Sequence, residues 1–192
     1  MNNICFVTGN YNKLNEVKSL VKNFNIISNI DLNFNGIIPE TENTLEGNSF
    51  LKSNFINNKF KINCFSDDSG LFIESLGGEP GVNSARYASA NSDSEENMNL
   101  VLKKLENQTN RNALFETCIC LIINNRVKYF KGSVKGMITH KKFGNSGFGY
   151  DPIFVPNGYS KTFAEMSINK KNKISHRSIA IKKLVSFLNK LY

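Results

Sequence analysis

Apolar positions in this chain follow two rhythms. Near the N-terminus, Ile4-Cys5-Phe6-Val7-Thr8 is a short continuous apolar run closed by Gly9-Asn10, which predicts a buried strand stopped by turn residues. Beyond Lys13, residues Leu14, Val17, Leu20, Val21 and Phe24 recur at three- and four-residue spacing, forming one face of an amphipathic helix. The opening unit is therefore strand, tight turn, helix. Residues 25–29 read as a second strand, followed by a polar connection carrying Glu40, Glu42 and Glu46. Leu51, Phe55, Ile56 and Phe60 then mark a second helix reaching Lys59.

Strand material spans 62–66 and 70–75, on either side of Asp67-Asp68-Ser69-Gly70, and Gly77-Gly78-Glu79-Pro80-Gly81 reads as a loop. A helix is predicted over 93–106 with Met98, Val101, Leu102 and Leu105 inward. Two long strands follow, 113–123 and 126–139, joined at Asn124-Asn125, a pair tolerant of the positive φ that two-residue hairpins require. Gly144-Asn145-Ser146-Gly147-Phe148-Gly149 is a glycine-rich loop leading through Asp151-Pro152 into Ile153-Phe154-Val155. Ser175 is the candidate N-cap of a last helix, with Ala180, Leu184, Phe187, Leu188 and Leu191 on one face. Strand–helix units together with a long hairpin predict an α/β fold with a mixed, twisted sheet flanked by helices. No repeat or linker interrupts residues 1–192, so one domain is expected.

Composition agrees with that picture. The 192 residues are 40% hydrophobic, with 15 Phe and 6 Tyr, enough for a sizeable core and too much for a disordered chain. No apolar run approaches the roughly 18 to 20 residues of a membrane helix, and Met1-Asn2-Asn3-Ile4 carries no basic stretch of the kind that opens an export signal. The four cysteines, Cys5, Cys64, Cys118 and Cys120, lack the C-x-x-C spacing of a zinc or redox site and read as buried thiols of a cytoplasmic protein. Cys118 and Cys120 fall on one face of a strand. The charge, 24 Lys+Arg less 16 Asp+Glu, is +8, compatible with a nucleic acid, a small anion, or a Lys-rich exterior.

Several segments carry chemistry. Thr8-Gly9-Asn10-Tyr11-Asn12-Lys13 lies where a strand feeds a helix, so backbone N–H groups converge with a hydroxyl and an amine. This is either a phosphate cradle or a plain strand-to-helix turn, and its spacing is not that of a Walker A loop. Asp67-Asp68 reads as the end of a strand, the usual ligand position in an open α/β sheet, or as an Asx turn. Adjacent strand residues face opposite ways, so one of the two carboxylates enters a given site. Asp68 with Glu40 or Glu46 would suit Mg2+, which takes one or two carboxylates alongside substrate phosphates. In Gly147-Phe148-Gly149-Tyr150-Asp151 two rings sit among glycines, placed either to stack on a base or to pack the loop. Lys170-Lys171-Asn172-Lys173-Ile174-Ser175-His176-Arg177 sets a basic cluster at a helix N-terminus, where cations oppose the dipole and so call for an anion or a base edge.

These segments, with Gly77-Gly78, Pro80-Gly81 and Ser84-Ala85-Arg86-Tyr87, resemble in order those of the inosine triphosphate pyrophosphatase family, the Ham1-like proteins, over nearly the whole chain. The resemblance implies an elongated α/β fold with two lobes around a central cleft, usually homodimeric. It implies Mg2+-dependent hydrolysis of nucleoside triphosphates to monophosphate and pyrophosphate, with preference for ITP, dITP and XTP. It further implies that Thr8, Gly9, Asn10, Tyr11, Asn12 and Lys13 hold the triphosphate. Asp68 would be proton acceptor and metal ligand, Glu40 the second ligand, and Lys52 and Ser69 would contact substrate. Phe148, Gly149, Tyr150 and Asp151 would form the base pocket, while Lys171, His176 and Arg177 would read the purine 6-keto edge and contact phosphate.

One stretch departs from the family pattern E-T-G-x-T-F-x-E-N-A: Glu40-Thr41-Glu42-Asn43-Thr44-Leu45-Glu46-Gly47-Asn48-Ser49 has Glu42 for glycine and Gly47 for glutamate; Glu40 keeps its alignment with Lys52 and so its place as metal ligand, with Glu42 or Glu46 as the alternatives. A related pyrophosphatase for modified pyrimidine triphosphates, of the Maf type, would carry other motifs. A nucleic-acid module is disfavoured because Asp151 stands beside Phe148 and Tyr150, where a phosphate backbone would run. No nucleic-acid or membrane partner is therefore expected, and most of the +8 reads as solvated surface.

Overall fold

The computed structural model describes residues 3–191. Met1 and Asn2, which open the stretch read for an export signal, and Tyr192 lie outside the described residues. The described residues form seven strands, β1 (Asn3–Val7), β2 (Asn25–Ser28), β3 (Cys64–Ile73), β4 (Pro80–Gly81), β5 (Asn112–Ile123), β6 (Arg126–Ile138) and β7 (Phe154–Pro156), and five α-helices, α1 (Tyr11–Leu20), α2 (Leu45–Phe60), α3 (Ser94–Lys104), α4 (Ile168–Ile174) and α5 (His176–Leu188), in the chain order β1-α1-β2-α2-β3-β4-α3-β5-β6-β7-α4-α5. The strands form one sheet in the order β2-β1-β3-β5-β6-β7, with β4 beside β3. It is mixed: β1 runs parallel to β2 and β3, whereas β4 and β7 pair antiparallel. This is the α/β class that the two rhythms predict.

The chain divides into two compact units. The first holds everything up to Asp68, Thr117–Gly132, and the chain from Arg177 onward; the second holds Ser69–Glu116 and Ser133–His176. Each has its own core. In the first, Ile4 and Phe6 of β1, Phe65 of β3 and Ile119, Leu121 and Ile123 of β5 pack on Leu14 and Val17 of α1 and on Ala180, Ile181, Leu184 and Leu188 of α5. Phe6 and Phe65, partners in the β1–β3 register, stack at 4.9 Å between centroids. The alternate residues Cys5, Val7 and Cys64 turn to the other face and meet Ile56 of α2. Strand periodicity of two thus sorts the unit into helices α1 and α5 on one side and α2 on the other. In the second unit, Leu71, Ile73, Phe115, Ile138 and Phe154 of the strands close over Met98 and Val101 of α3.

Local signals set the helix ends. Asn10 caps α1, its side-chain oxygen accepting the Lys13 N–H at 3.1 Å, so the helix starts at Tyr11, ahead of its apolar face. Thr44 and Asp93 cap α2 and α3 in the same way. Asn124 and Asn125 take φ of +48° and +60° in the two-residue turn joining β5 to β6.

The structure differs from the sequence reading at three places; the shortest is Pro80-Gly81, read within a loop, which pairs with Leu71 and Phe72 as β4. The acidic pair does not end a strand: β3 runs unbroken from Cys64 to Ile73, because its backbone is laddered to β1 at 64–66 and to β4 at 71–72. Residues 168–174 form a helix that no apolar rhythm announced; INKKNKI has too few apolar positions, and Ser167 starts it by accepting the Lys170 N–H. Among the described residues, no helix is long and apolar enough to cross a membrane.

All four cysteines are free and buried. Loss of solvation pushes the Cys5 and Cys64 thiols up to about 12 and Cys120 to about 11. Since the thiolate is the reactive form, the native protein at pH 8 should leave Ellman's reagent unconsumed over minutes and release four equivalents once unfolded in guanidinium. A fast-reacting thiol in the native state would contradict this burial.

Candidate active site

Asp67 and Asp68 sit side by side within β3, and both are buried. The pleat sends them to opposite faces. Asp68 shares the α2 face with Ser66. There the Lys52 ammonium lies 3.7 Å from its Oδ1 and donates a hydrogen bond to Glu40 Oε1. Burial pushes the Asp68 carboxyl above its ordinary value, with Lys52 and Lys13 opposing and Glu40 and Asp67 adding to the rise. Burial also disfavours the Lys52 ammonium, but the surrounding carboxylates Asp68, Glu40 and Asp67 outweigh it and hold the amine charged above its usual range.

Asp67 faces α1 and α5. Its Oδ1 accepts from Lys13 Nζ at 3.1 Å and its Oδ2 from Arg177 Nε at 2.9 Å, while Arg177 Nη1 donates to Glu16 Oε2 at 2.6 Å. Burial alone would raise the Asp67 carboxyl; the charges of Lys13, Arg177 and Lys52 overcome it and hold the group well below the carboxylate range. Arg177 is raised despite its burial, because Asp67 and Glu16 flank it. Lys13 is lowered by burial and by Lys52 and Arg177, against the pull of Asp67. Four acids and three bases therefore interlock in the first unit.

Beside them, Thr8, Gly9, Asn10, Tyr11 and Asn12 form the open head of α1. Thr8 N–H donates to Asn29 Oδ1 and Asn10 N–H to Thr8 Oγ1, which fixes the turn. A Cβ built on Gly9 meets nothing within 4 Å, so this backbone lies open at the positive end of the helix.

The second unit holds the other candidates. Asp151 and Lys171, both buried, pair at 2.6 Å, and Asp151 Oδ2 also accepts the Phe148 N–H at 2.9 Å. Gly147 has φ of +79°, and a Cβ there would fall 2.1 Å from Asp151 Oδ2, so only glycine admits this contact. Lys171 Nζ stands 4.8 Å over the Phe148 ring. Tyr150 differs from the stacking role its loop suggested: its ring is in the core and its hydroxyl donates to Ser84 O at 2.8 Å. The buried His176 ring stacks on Phe115, centroids 4.4 Å apart and planes at 6°. Ser69 is half-buried in β3.

The basic cluster also reads differently in three dimensions. Lys171 and Lys173 occupy the last turn of α4, where a cation suits the dipole. Arg177, in the first turn of α5, is matched by Asp67 and Glu16. Its position at a helix start therefore does not by itself call for an external anion. Ser175 ends α4 as well as preceding α5.

Glu46 pairs with Lys131, and Glu42 lies against Gly47. A Cβ on Gly47 would sit 2.6 Å from Glu42 Cβ and 2.7 Å from its Cγ, so the two departures from the family pattern are one: glutamate at 42 fills the space that a side chain at 47 would need. That leaves Glu40 and Asp68 as the carboxylates meeting at one ammonium, an all-oxygen donor pair of the kind that holds Mg2+ together with phosphate oxygens and waters. Among the described residues, no group of three or more His, Cys, Asp or Glu gathers as a metal site. Sequence reasoning missed Glu16 and Phe115. Glu16 carried a faint signal, a charge flanked by the inward Leu14 and Val17; Phe115 carried none.

The Ham1 family model matches residues 4–187. A dITP/XTP pyrophosphatase of Flavobacterium psychrophilum is 47% identical over 185 residues, covering 96% of this chain and 97% of the relative; that of Porphyromonas gingivalis is 39% identical over 190 residues, 98% of each. Among solved structures, the Staphylococcus aureus Ham1 protein superposes with a TM-score of 0.91 at 38% identity over 100% of both chains, and a HAM1 protein from Coxiella burnetii with 0.91 at 32% over 99% and 100%.

Replacing Arg177 by Met strands Asp67 and Glu16 without their guanidinium, and a urea titration should show a loss of about 3–5 kcal/mol; a loss under about 1 kcal/mol would mean these pairs do not hold the unit together. Gly47→Ala should cost about 1–3 kcal/mol by overpacking. Adding Glu42→Gly should recover most of that loss in the same titration, and failure to recover it would break the claimed coupling.

Proposed function

The chain belongs to the Ham1 family, and from that premise we propose that it hydrolyses triphosphates of non-standard purine nucleosides, ITP, dITP and XTP, to the monophosphate and pyrophosphate, dependent on Mg2+. It is an enzyme, a nucleoside triphosphate pyrophosphatase. The observation that carries the reading is the meeting of Glu40 and Asp68 on the Lys52 ammonium, with Asp67 and Lys13 on the opposite face of the same strand.

In this reading Thr8, Gly9, Asn10, Tyr11, Asn12 and Lys13 bind the triphosphate through the open α1 head and the Lys13 amine, with Lys52 and Ser69 as further contacts. Asp68 orients a water at the α-phosphorus and accepts its proton. The water oxygen bonds to that phosphorus as the bond to the bridging oxygen of the β-phosphate breaks, and pyrophosphate leaves. Glu40 and Asp68 would hold Mg2+, which would supply the charge that offsets the phosphate oxygens. Asp67, held ionised by its cations, keeps Lys13 in place.

Base recognition is assigned to residues of the glycine-rich loop and of the basic cluster. Phe148, Gly149, Tyr150 and Asp151 form the base pocket, Tyr150 anchoring the segment through Ser84. Lys171, His176 and Arg177 supply donors for a purine 6-keto oxygen; a 6-amino group would set donor against donor, which discriminates strongly in a desolvated site. The family model spans both units, which supports a single domain over 1–192. The buried, free thiols support a cytoplasmic setting, and the active form is a homodimer acting on small nucleotides rather than nucleic acid.

Pyrophosphate release should be measured with Mg2+ and with EDTA across ITP, dITP, XTP, GTP, ATP and dTTP. Inosine and xanthosine nucleotides should dominate and EDTA should abolish turnover; equal rates on all six, or none, would overturn the assignment. Asp68→Asn should lower kcat by at least about 10²–10⁴-fold with an unchanged circular dichroism spectrum, and a variant that keeps most of its activity would remove Asp68 from the proton step.

A further inference from the structure

Behind the Lys52 site lies a polar contact that neither the proposed chemistry nor the core requires. Ser53 of α2 and Ser66 of β3 are both fully buried. The Ser53 hydroxyl oxygen lies 2.9 Å from that of Ser66 and 2.8 Å from the carbonyl oxygen of Cys120, and the Ser66 hydroxyl donates to the carbonyl oxygen of Ser49. A third contact joins the same two elements, Cys64 Sγ donating to Ser53 O at 3.2 Å. Burying a hydroxyl where an alanine would pack costs free energy unless it is bonded, and here two hydroxyl hydrogens serve three oxygen contacts. What such a network adds over apolar packing is direction.

That direction runs along both elements. Ser49 and Ser53 stand one helical turn apart, so the Ser66 hydroxyl is seated against two successive turns of α2. Sliding the helix by one residue, about 1.5 Å, would break the network. On β3, Cys64, Ser66 and Asp68 follow one another on the α2 face; on α2, Lys52 immediately precedes Ser53. The hydroxyl pair is thus one residue from Lys52 along the helix and two from Asp68 along the strand. A lysine side chain has four flexible torsions, and the place of its ammonium depends on where its Cα is held.

We propose that Ser53 and Ser66 are positioning residues, a buried pin that sets α2 on β3 at the register placing the Lys52 ammonium between Glu40 and Asp68. The proposal rests on the reading of Glu40, Lys52 and Asp68 as the reaction site.

The test is a cycle. Ser53→Ala with Ser66→Ala removes both hydroxyls and leaves acceptors that belong to the regular elements β5 and α2. With dITP and Mg2+, the double variant should lower kcat about five- to tenfold while KM stays within about twofold. The same pair of substitutions in a Lys52→Met background should change kcat by less than about twofold, because the residue they act through is gone. Equal factors in the two backgrounds, or no loss in the first, would overturn the pin. If the double variant does not fold, Ser66→Cys keeps the volume, weakens the donor and is put through the same cycle. Crystal structures of the parent and the variant decide the matter without turnover: Lys52 Nζ should shift from Asp68 Oδ1 by more than about 1 Å, a displacement large enough to matter to catalysis, and an unmoved ammonium would refute the pin. A parent protein that hydrolyses no triphosphate would sink the functional reading while this crystallographic comparison still decides the positioning claim.

Discussion

Asp67 and Asp68 are adjacent, buried and inside a strand, and an unpaired carboxylate so placed costs several kcal/mol. The pleat forbids one shared solution, because neighbouring side chains leave on opposite faces. Each carboxylate therefore needs its own cation from its own side. Asp67 takes Lys13 from α1 and Arg177 from α5, and Arg177 in turn needs Glu16. Asp68 takes Lys52 from α2, and Lys52 is shared with Glu40. The layering of the first unit, α1 and α5 on one side and α2 on the other, is the same partition seen in the apolar clusters around Phe65 and Cys64. Core and charge network are two readings of one alternation.

The consequence is a division of labour between chemically identical groups. Asp67 is saturated with cations and stays ionised, which suits a group that holds Lys13 in place. Asp68 is desolvated, with Lys52 as its first opposing cation, and is pushed the other way, the direction that the proton-accepting role proposed for it would need. The second unit uses a related device at smaller scale: one oxygen of Asp151 receives both the Lys171 ammonium and the Phe148 N–H, so a buried ion pair also shapes the glycine-rich loop.

Most elements were legible in the sequence. The strand, turn and helix of residues 4–20, the Asn124-Asn125 hairpin and the capped helix after Asp93 follow from local preferences, since apolar period, caps and positive φ act within a few residues. The α4 helix was not legible, because INKKNKI has no face to read. Nor was the continuity of β3 through Asp67-Asp68-Ser69-Gly70: those four residues spell a turn locally, and the ladders that flank them, Ser66 on Val7 and Leu71 on Gly81, carry the strand through. The pairing of Glu42 with Gly47 was visible only as two odd residues until the space between them was known.

The amino-acid sequence by itself determined the α/β class, the order of its elements, the buried thiols and the motifs that mark the family, because each is written in neighbouring residues. Only the tertiary structure decided which aspartate faces which lysine, that Arg177 is held by Asp67 and Glu16, that Tyr150 is a core ring, and that two serines meet behind Lys52. Those contacts join positions 13 to 161 residues apart. At such separations local preference carries no information, and the outcome is set by which face of a strand or helix each side chain must take.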